Sequence, residues 1–196
     1  MGCAFQAERR QADAMQQDGL HCPGCGFGFW YALGGLQALR PRGRLTAVSG
    51  GALAAACHLC DVDPEEQILK CSALREGLVR SWDLHGTLRD WLRSALPEDS
   101  AERCAGRLVV YTRRYPFLDV RTFDAWRDRD HLVETLVAAA SPVVPVCVDG
   151  EWLTDCVCLS QPGPHLPVVF RLSIPDEGEC RAMLDAGGRL EPADTR

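Results

Sequence analysis

The sequence predicts an α/β fold: a central, mostly parallel sheet inside a three-layer α/β/α arrangement. Three observations predict it. Short apolar and β-branched runs read as strands at Leu45–Val48, Arg107–Thr112, Val143–Val148 and Val168–Leu172. Stretches with helical patterning separate them, and alternation of the two is the mark of a sheet covered on both faces. The 196 residues, 46% apolar and 24% charged, suit a single domain with a sizeable core.

The elements follow in order. Residues 1–17 are polar and charged and read as a flexible tail, followed by one domain over 18–186 and a second tail over 187–196. Leu20-His21-Cys22 leads into a Gly-rich turn, Gly24-Cys25-Gly26-Phe27-Gly28. Phe29–Leu39 is apolar nearly all round, as a buried helix is, and Pro41-Arg42-Gly43 ends it. The strand Leu45–Val48 runs into Ser49-Gly50-Gly51 and a small, apolar helix, Ala52–Cys60. Asp63-Pro64-Glu65-Glu66 is a helix start, with an acidic N-cap, Pro at the first position and acids in the first turn. The apolar spacing that follows, Ile68 to Leu92, predicts a long amphipathic region interrupted near Gly77 or Gly86. Val120–Phe123 is a further strand. Asp130 is placed to cap a helix over His131–Ala140, and Asp176–Asp185 reads as the last helix.

Composition excludes several functions. A net charge of −6 with a pI near 5.4 argues against nucleic acid as the main partner, because phosphate binding needs a basic face. No run approaches the length that spans a bilayer, and the first twenty residues lack the apolar core of a secretion signal. Met1-Gly2-Cys3 suggests acylation, but Gln6 stands where that signal carries Ser or Thr. Eleven cysteines, an odd number in a chain with no secretory mark, read as reduced and partly buried thiols in a cytoplasmic protein.

Two joints carry chemistry. At Ala47-Val48-Ser49-Gly50-Gly51 a strand meets a buried helix with Ser at the turn and glycines after it. Such an elbow presents a hydroxyl at the sheet edge beside helix N–H groups; Ala47 stands where the usual elbow carries Gly. The segment also fits a plain Ser cap on a buried helix. At Gly24-Cys25-Gly26 successive small residues let backbone N–H groups converge on an anion, as an oxyanion hole requires; a phosphate loop or a simple tight turn fits the same residues. A nucleophilic Ser needs a base, and Asp149 and Asp155 follow an apolar strand in Val148-Asp149-Gly150-Glu151-Trp152-Leu153-Thr154-Asp155. Either also fits an exposed turn acid.

These residues resemble a family. Gly24-Cys25-Gly26-Phe27 and Ser49-Gly50-Gly51-Ala52-Leu53-Ala54-Ala55 look like the oxyanion loop and nucleophile turn of patatin-like phospholipases, in particular the adipose triglyceride lipase and adiponutrin branch. Leu96-Pro97-Glu98-Asp99, the strand after Gly106, and the helix ending in Ala140-Ser141 before prolines are similar to blocks of that branch, over residues 18–160. The resemblance implies a serine lipid hydrolase, a triacylglycerol lipase or phospholipase A, with a Ser49–Asp155 dyad and an oxyanion hole at Gly24, Cys25 and Gly26. It implies no metal or cofactor, a lipid ester as substrate, and peripheral contact with a membrane or lipid droplet. Cys156 and Val157 stand where the family carries small residues after its Asp. That departure fits an inactive relative acting as a lipid- or protein-binding module.

Two other arrangements share these residues. Ser49, Asp149 or Asp155, and His165 follow the chain order of an α/β-hydrolase triad, although too little chain precedes Ser49 for that fold's first strands. Cys22-x-x-Cys25 and Cys57-x-x-Cys60 have zinc-ligand spacing. Cys57, however, lies eight residues beyond Ser49, about 12 Å along a helix, whereas Cys25 belongs beside Ser49.

Overall fold

The computed structural model describes residues 19–81, 83–117, 119–156 and 176–189. Six strands are β1 (Leu20–Cys22), β2 (Leu45–Ala47), β3 (Leu108–Arg114), β4 (Val120–Phe123), β5 (Val146–Val148) and β6 (Glu151–Asp155). The helices are α1 (Phe29–Leu39), α2 (Ser49–Leu59), α3 (Pro64–Ser81), α4 (Leu84–Ala95), α5 (Ser100–Cys104), α6 (Arg129–Ala139) and α7 (Glu177–Gly188). The described residues thus form an α/β structure around a mixed sheet in the order β1-β2-β3-β6-β5, with β4 paired to β3. β1, β2 and β3 are parallel, and β5 runs the same way because it is antiparallel to β6, itself antiparallel to β3.

The register brings two chain ends together. Val110 pairs with both Ala47 and Phe123, and Thr112 with both Arg121 and Asp155. A strand residue has one neighbour on each edge, so β2 and β6 share the edge of β3 that β4 leaves. Ala47 and Asp155, the last residues of β2 and β6, therefore face β3 positions two residues apart, about 7 Å along the strand. One face of the sheet carries Leu20, Cys22, Leu45, Ala47, Leu108 and Val110, each at most 2% exposed. Helices α2 and α6 touch each other and both touch β3, so they cover one face together.

Helix α1 is buried nearly all round and packs mainly on α7 and α2. Its backbone approaches α7 so closely that a Cβ on Gly34 would stand 2.3 Å from the Leu184 carbonyl oxygen, and one on Gly187 2.0 Å from that of Tyr31. Helix α7 accordingly runs to Gly188, past the expected end at Asp185 and into the segment read as tail. Asp176 and Glu179 form a reciprocal capping box at its start.

Other boundaries differ for local reasons. Asp128, not Asp130, caps α6, accepting from His131 N. β5 begins only at Val146, because Pro142 and Pro145 lack the N–H a ladder needs; Val143 and Val144 are 84% and 58% exposed. The long amphipathic region breaks between α3 and α4, where Asp83 restarts the helix by accepting from Gly86 N at 2.8 Å. Asp83→Ala removes that cap and lowers stability by about 1 kcal/mol in urea unfolding; an unchanged midpoint would deny the cap its role. The expected strand Val168–Leu172, His165, Val157 and Met1-Gly2-Cys3 lie outside the described residues. Among the described residues no helix is long and apolar enough to cross a membrane.

Candidate active site

Ser49 stands where β2 turns into α2. Val48 is extended, with φ −133° and ψ 151°, and Ser49 takes φ 51°, in the left-handed region. For a residue with a Cβ that conformation is strained. The register leaves little room for another: Val48 N donates to the Cys22 carbonyl at 3.1 Å, so the chain stays in the sheet until one residue before the helix. Helix α2 begins at Ser49 itself, and no intrahelical acceptor exists for its first N–H groups.

The glycines after Ser49 are needed for space. A Cβ on Gly50 would stand 2.3 Å from the Gly26 carbonyl oxygen and 3.1 Å from the Gly26 nitrogen. One on Gly51 would stand 2.4 and 2.5 Å from the carbonyl oxygens of Cys22 and Pro23. The Gly24–Gly26 turn is thus packed directly on the first turn of α2. The structure brings the two Gly-rich segments into contact, as an oxyanion loop and a nucleophile elbow require.

A cavity of about 150 Å³ opens at this joint, and Ser49, Gly50, Gly26 and Asp155 all line it. The rest of its wall includes Phe27, Phe29, Leu53, Leu84, Leu88 and Pro142. Ser49 and Asp155 are 5% and 9% exposed, so both polar groups sit in a largely apolar enclosure. Of the expected oxyanion residues Gly26 reaches the wall, while Gly24 and Cys25 are buried behind it.

Asp155 is held from the backbone. Its N–H donates to the Ser141 carbonyl at 2.9 Å, and the Thr154 hydroxyl donates to the same oxygen at 2.6 Å. Ser141, just past α6, donates its own hydroxyl to the Val137 carbonyl. Helix α6 therefore fixes where β6 ends.

Asp149 lies at the other end of β6. It and Gly150 have φ 51° and 80°, a type I′ pattern joining Val148 to Glu151 across a two-residue hairpin. Four residue steps of strand separate Glu151 from Asp155, about 13 Å. The Asp149 carboxylate contacts Arg127 at 2.9 Å and His131 Nε2 at 3.0 Å, and it is absent from the cavity wall.

Cys25 is a neutral neighbour of the site. Burial first, then the Asp155 charge, pushes its thiol up to about 12. At mildly alkaline pH iodoacetamide should modify exposed Cys147 and spare Cys25; comparable labelling of both, read by peptide mass mapping, would show an activated Cys25. The two Cys-x-x-Cys pairs lie toward opposite ends of α2, Cys25 beside Gly50 and Cys57 seven residues further along the helix. Among the described residues no three His, Cys, Asp or Glu side chains gather as a metal site would need.

Sequence reasoning missed Ser141 as the anchor of Asp155, and Leu84, Leu88 and Pro142 as cavity wall. They come from α4 and from the segment after α6, and only the packing of α4 on α6, and of α6 on α2, brings them to Ser49. A larger cavity of about 580 Å³, lined by His58, Asp61 and Val62 among others, lies near the far end of α2, with no Ser, Thr or Cys among its described lining residues. No known family model matches the chain, and no curated protein matches it.

Proposed function

We propose that this chain is a serine hydrolase of acyl esters in lipids, of the patatin-like kind. One observation carries the reading: Ser49, at left-handed φ on the head of α2, shares a small apolar cavity with Asp155. A third helical layer, on the face opposite α2 and α6, belongs to the same proposal. So does work at a membrane or lipid-droplet surface in the cytoplasm, on a triacylglycerol or phospholipid.

In this mechanism Asp155 accepts the Ser49 proton as Oγ attacks the ester carbonyl. The oxyanion is held by backbone N–H groups at the open end of α2, that of Gly50 first, and by that of Gly26, the residue of the Gly24–Gly26 turn that lines the cavity. Collapse expels the alcohol, which takes the proton from Asp155. Water then gives a proton to the same carboxylate and attacks the acyl-enzyme. The fatty acid leaves and Ser49 is reprotonated. The apolar wall suits an acyl chain and keeps bulk water from the dyad.

A second reading, a catalytically silent relative that binds a lipid surface or a protein, has one observation in its favour. Cys156, fully buried, follows Asp155 where the resembled family carries Gly. A fluorophosphonate probe separates the two. The intact protein should be labelled and Ser49→Ala should not. A folded protein that resists the probe supports the silent relative and sinks the hydrolase.

A further inference from the structure

The end of α2 remote from Ser49 holds a second chemical feature. Cys60 closes the helix and Cys104 ends α5, and their sulfur atoms lie 3.9 Å apart although the residues are 44 positions apart in sequence. Both are buried, Cys60 at 4% exposure and Cys104 at 0%. Neither has a part in the proposed hydrolysis. We propose that Cys60 and Cys104 form a peroxide-sensitive thiol pair that closes reversibly into a disulfide, with Cys60 reacting first and Cys104 resolving.

Geometry supports closure. The sulfurs already touch, so a bond of about 2.05 Å requires them to approach by roughly 2 Å. Side-chain rotation and a slight shift of the five-residue α5 can supply that. The order of reaction follows first from access: Cys60 keeps 4% exposure at the end of α2, whereas Cys104 is wholly enclosed. The hydrogen bond with Cys104, and after it the Arg103 charge, draw the Cys60 thiol below its ordinary value against the opposing effect of burial. The same hydrogen bond and burial push the Cys104 thiol up. Arg103 Nη1 donates to the Cys60 carbonyl at 3.4 Å, which keeps the guanidinium beside this turn. Asp61 and Val62, next in sequence, line the 580 Å³ surface cavity, so a small oxidant reaches the chain close to Cys60.

The oxidant is hydrogen peroxide. The Cys60 thiolate attacks one peroxide oxygen, the O–O bond breaks, and hydroxide leaves and takes up the proton that Cys60 gave up. This forms a sulfenic acid. The Cys104 sulfur then attacks the Cys60 sulfur, displacing hydroxide, which departs as water with the Cys104 proton. The sum is two thiols and one peroxide converted to one disulfide and two waters. A small dithiol reverses it. The bond would tie the C-terminal end of the helix that carries Ser49 to the segment leading into β3.

The experiment treats the full chain with stoichiometric hydrogen peroxide and maps peptides by mass spectrometry. A Cys60–Cys104 linked peptide, lost on reduction with dithiothreitol, is the expected result. In Cys104→Ser a dimedone adduct should accumulate on Cys60, and in Cys60→Ser Cys104 should carry none. Oxidation of exposed Cys147 with the pair left reduced would overturn the proposal, and a dimedone adduct on Cys104 in Cys60→Ser would overturn the order of reaction. The wild-type map needs no substitution, so the linked peptide tests the pair even where a serine in this buried place prevents folding.

Discussion

Asp155→Asn is expected to lower ester turnover by about 10³-fold, in the range for loss of a general base, while Asp149→Asn leaves turnover nearly unchanged. Asp155 lines the cavity with Ser49, and Asp149 sits at the far end of β6 with Arg127 and His131. The Asn variant keeps the shape of the side chain and the backbone bond to Ser141, so the fold should survive; a melting curve checks this. The Asp149 contact with Arg127 is exposed, 71% on the arginine and 42% on the aspartate, and such pairs contribute little. The measurement is kcat/KM on a chromogenic ester. Loss in Asp149→Asn alone would reassign the base to the hairpin. Full activity in both variants would point to His165 and a triad.

Gly51→Ala is expected to destabilise the protein by about 3 kcal/mol, the upper part of the range for overpacking. That corresponds to a fall of roughly 6–12 °C in melting temperature. The added methyl would stand 2.4 and 2.5 Å from two backbone carbonyl oxygens, those of Cys22 and Pro23. Backbone in contact cannot rotate away as a flexible side chain can, so the strand-to-turn segment must shift bodily. That shift also moves the Gly24–Gly26 turn relative to Ser49, and labelling by the fluorophosphonate should fall with stability. Gly188→Ala is the control, because nothing lies within 4 Å of its added Cβ. A Gly51→Ala variant as stable as the control would mean the close approach is not required.

The elements most legible in the sequence are those whose signal is local. Phe29–Leu39 is apolar nearly all round and forms the helix expected of it. Asp63-Pro64 starts α3, and Val120–Phe123 forms β4 with the expected bounds. Even the turn at Ser49 follows from neighbours in sequence, because an extended run meeting Gly50-Gly51 leaves the intervening residue to absorb the change of direction. Boundaries at prolines and caps were less legible. Asp128 and Asp130 are equally good caps by composition, and in the structure Asp128 accepts from His131 N.

By itself, then, the sequence determined the α/β class, the strand-to-helix turn at Ser49 and the Gly-rich turn before α1, since each arises from residues adjacent in the chain. It marked Asp149-Gly150 as a turn and put Asp155 at the far end of the return strand, but the shared cavity of Ser49 and Asp155 is a matter of tertiary structure. Asp149 and Asp155 are both acids near an apolar strand. What separates them is that β6 pairs antiparallel with β3 on the edge it shares with β2, with Asp155 opposite Thr112. That pairing joins residues 43 positions apart, brings Asp155 to the cavity lined by Ser49, 106 positions before it, and is selected by burial of Leu153, Val146 and Val148 rather than by any local preference. The cavity wall and the contact of Cys60 with Cys104 have the same origin. They depend on how helices pack, and packing distributes its energy over many side chains, leaving no mark at the residues it brings together.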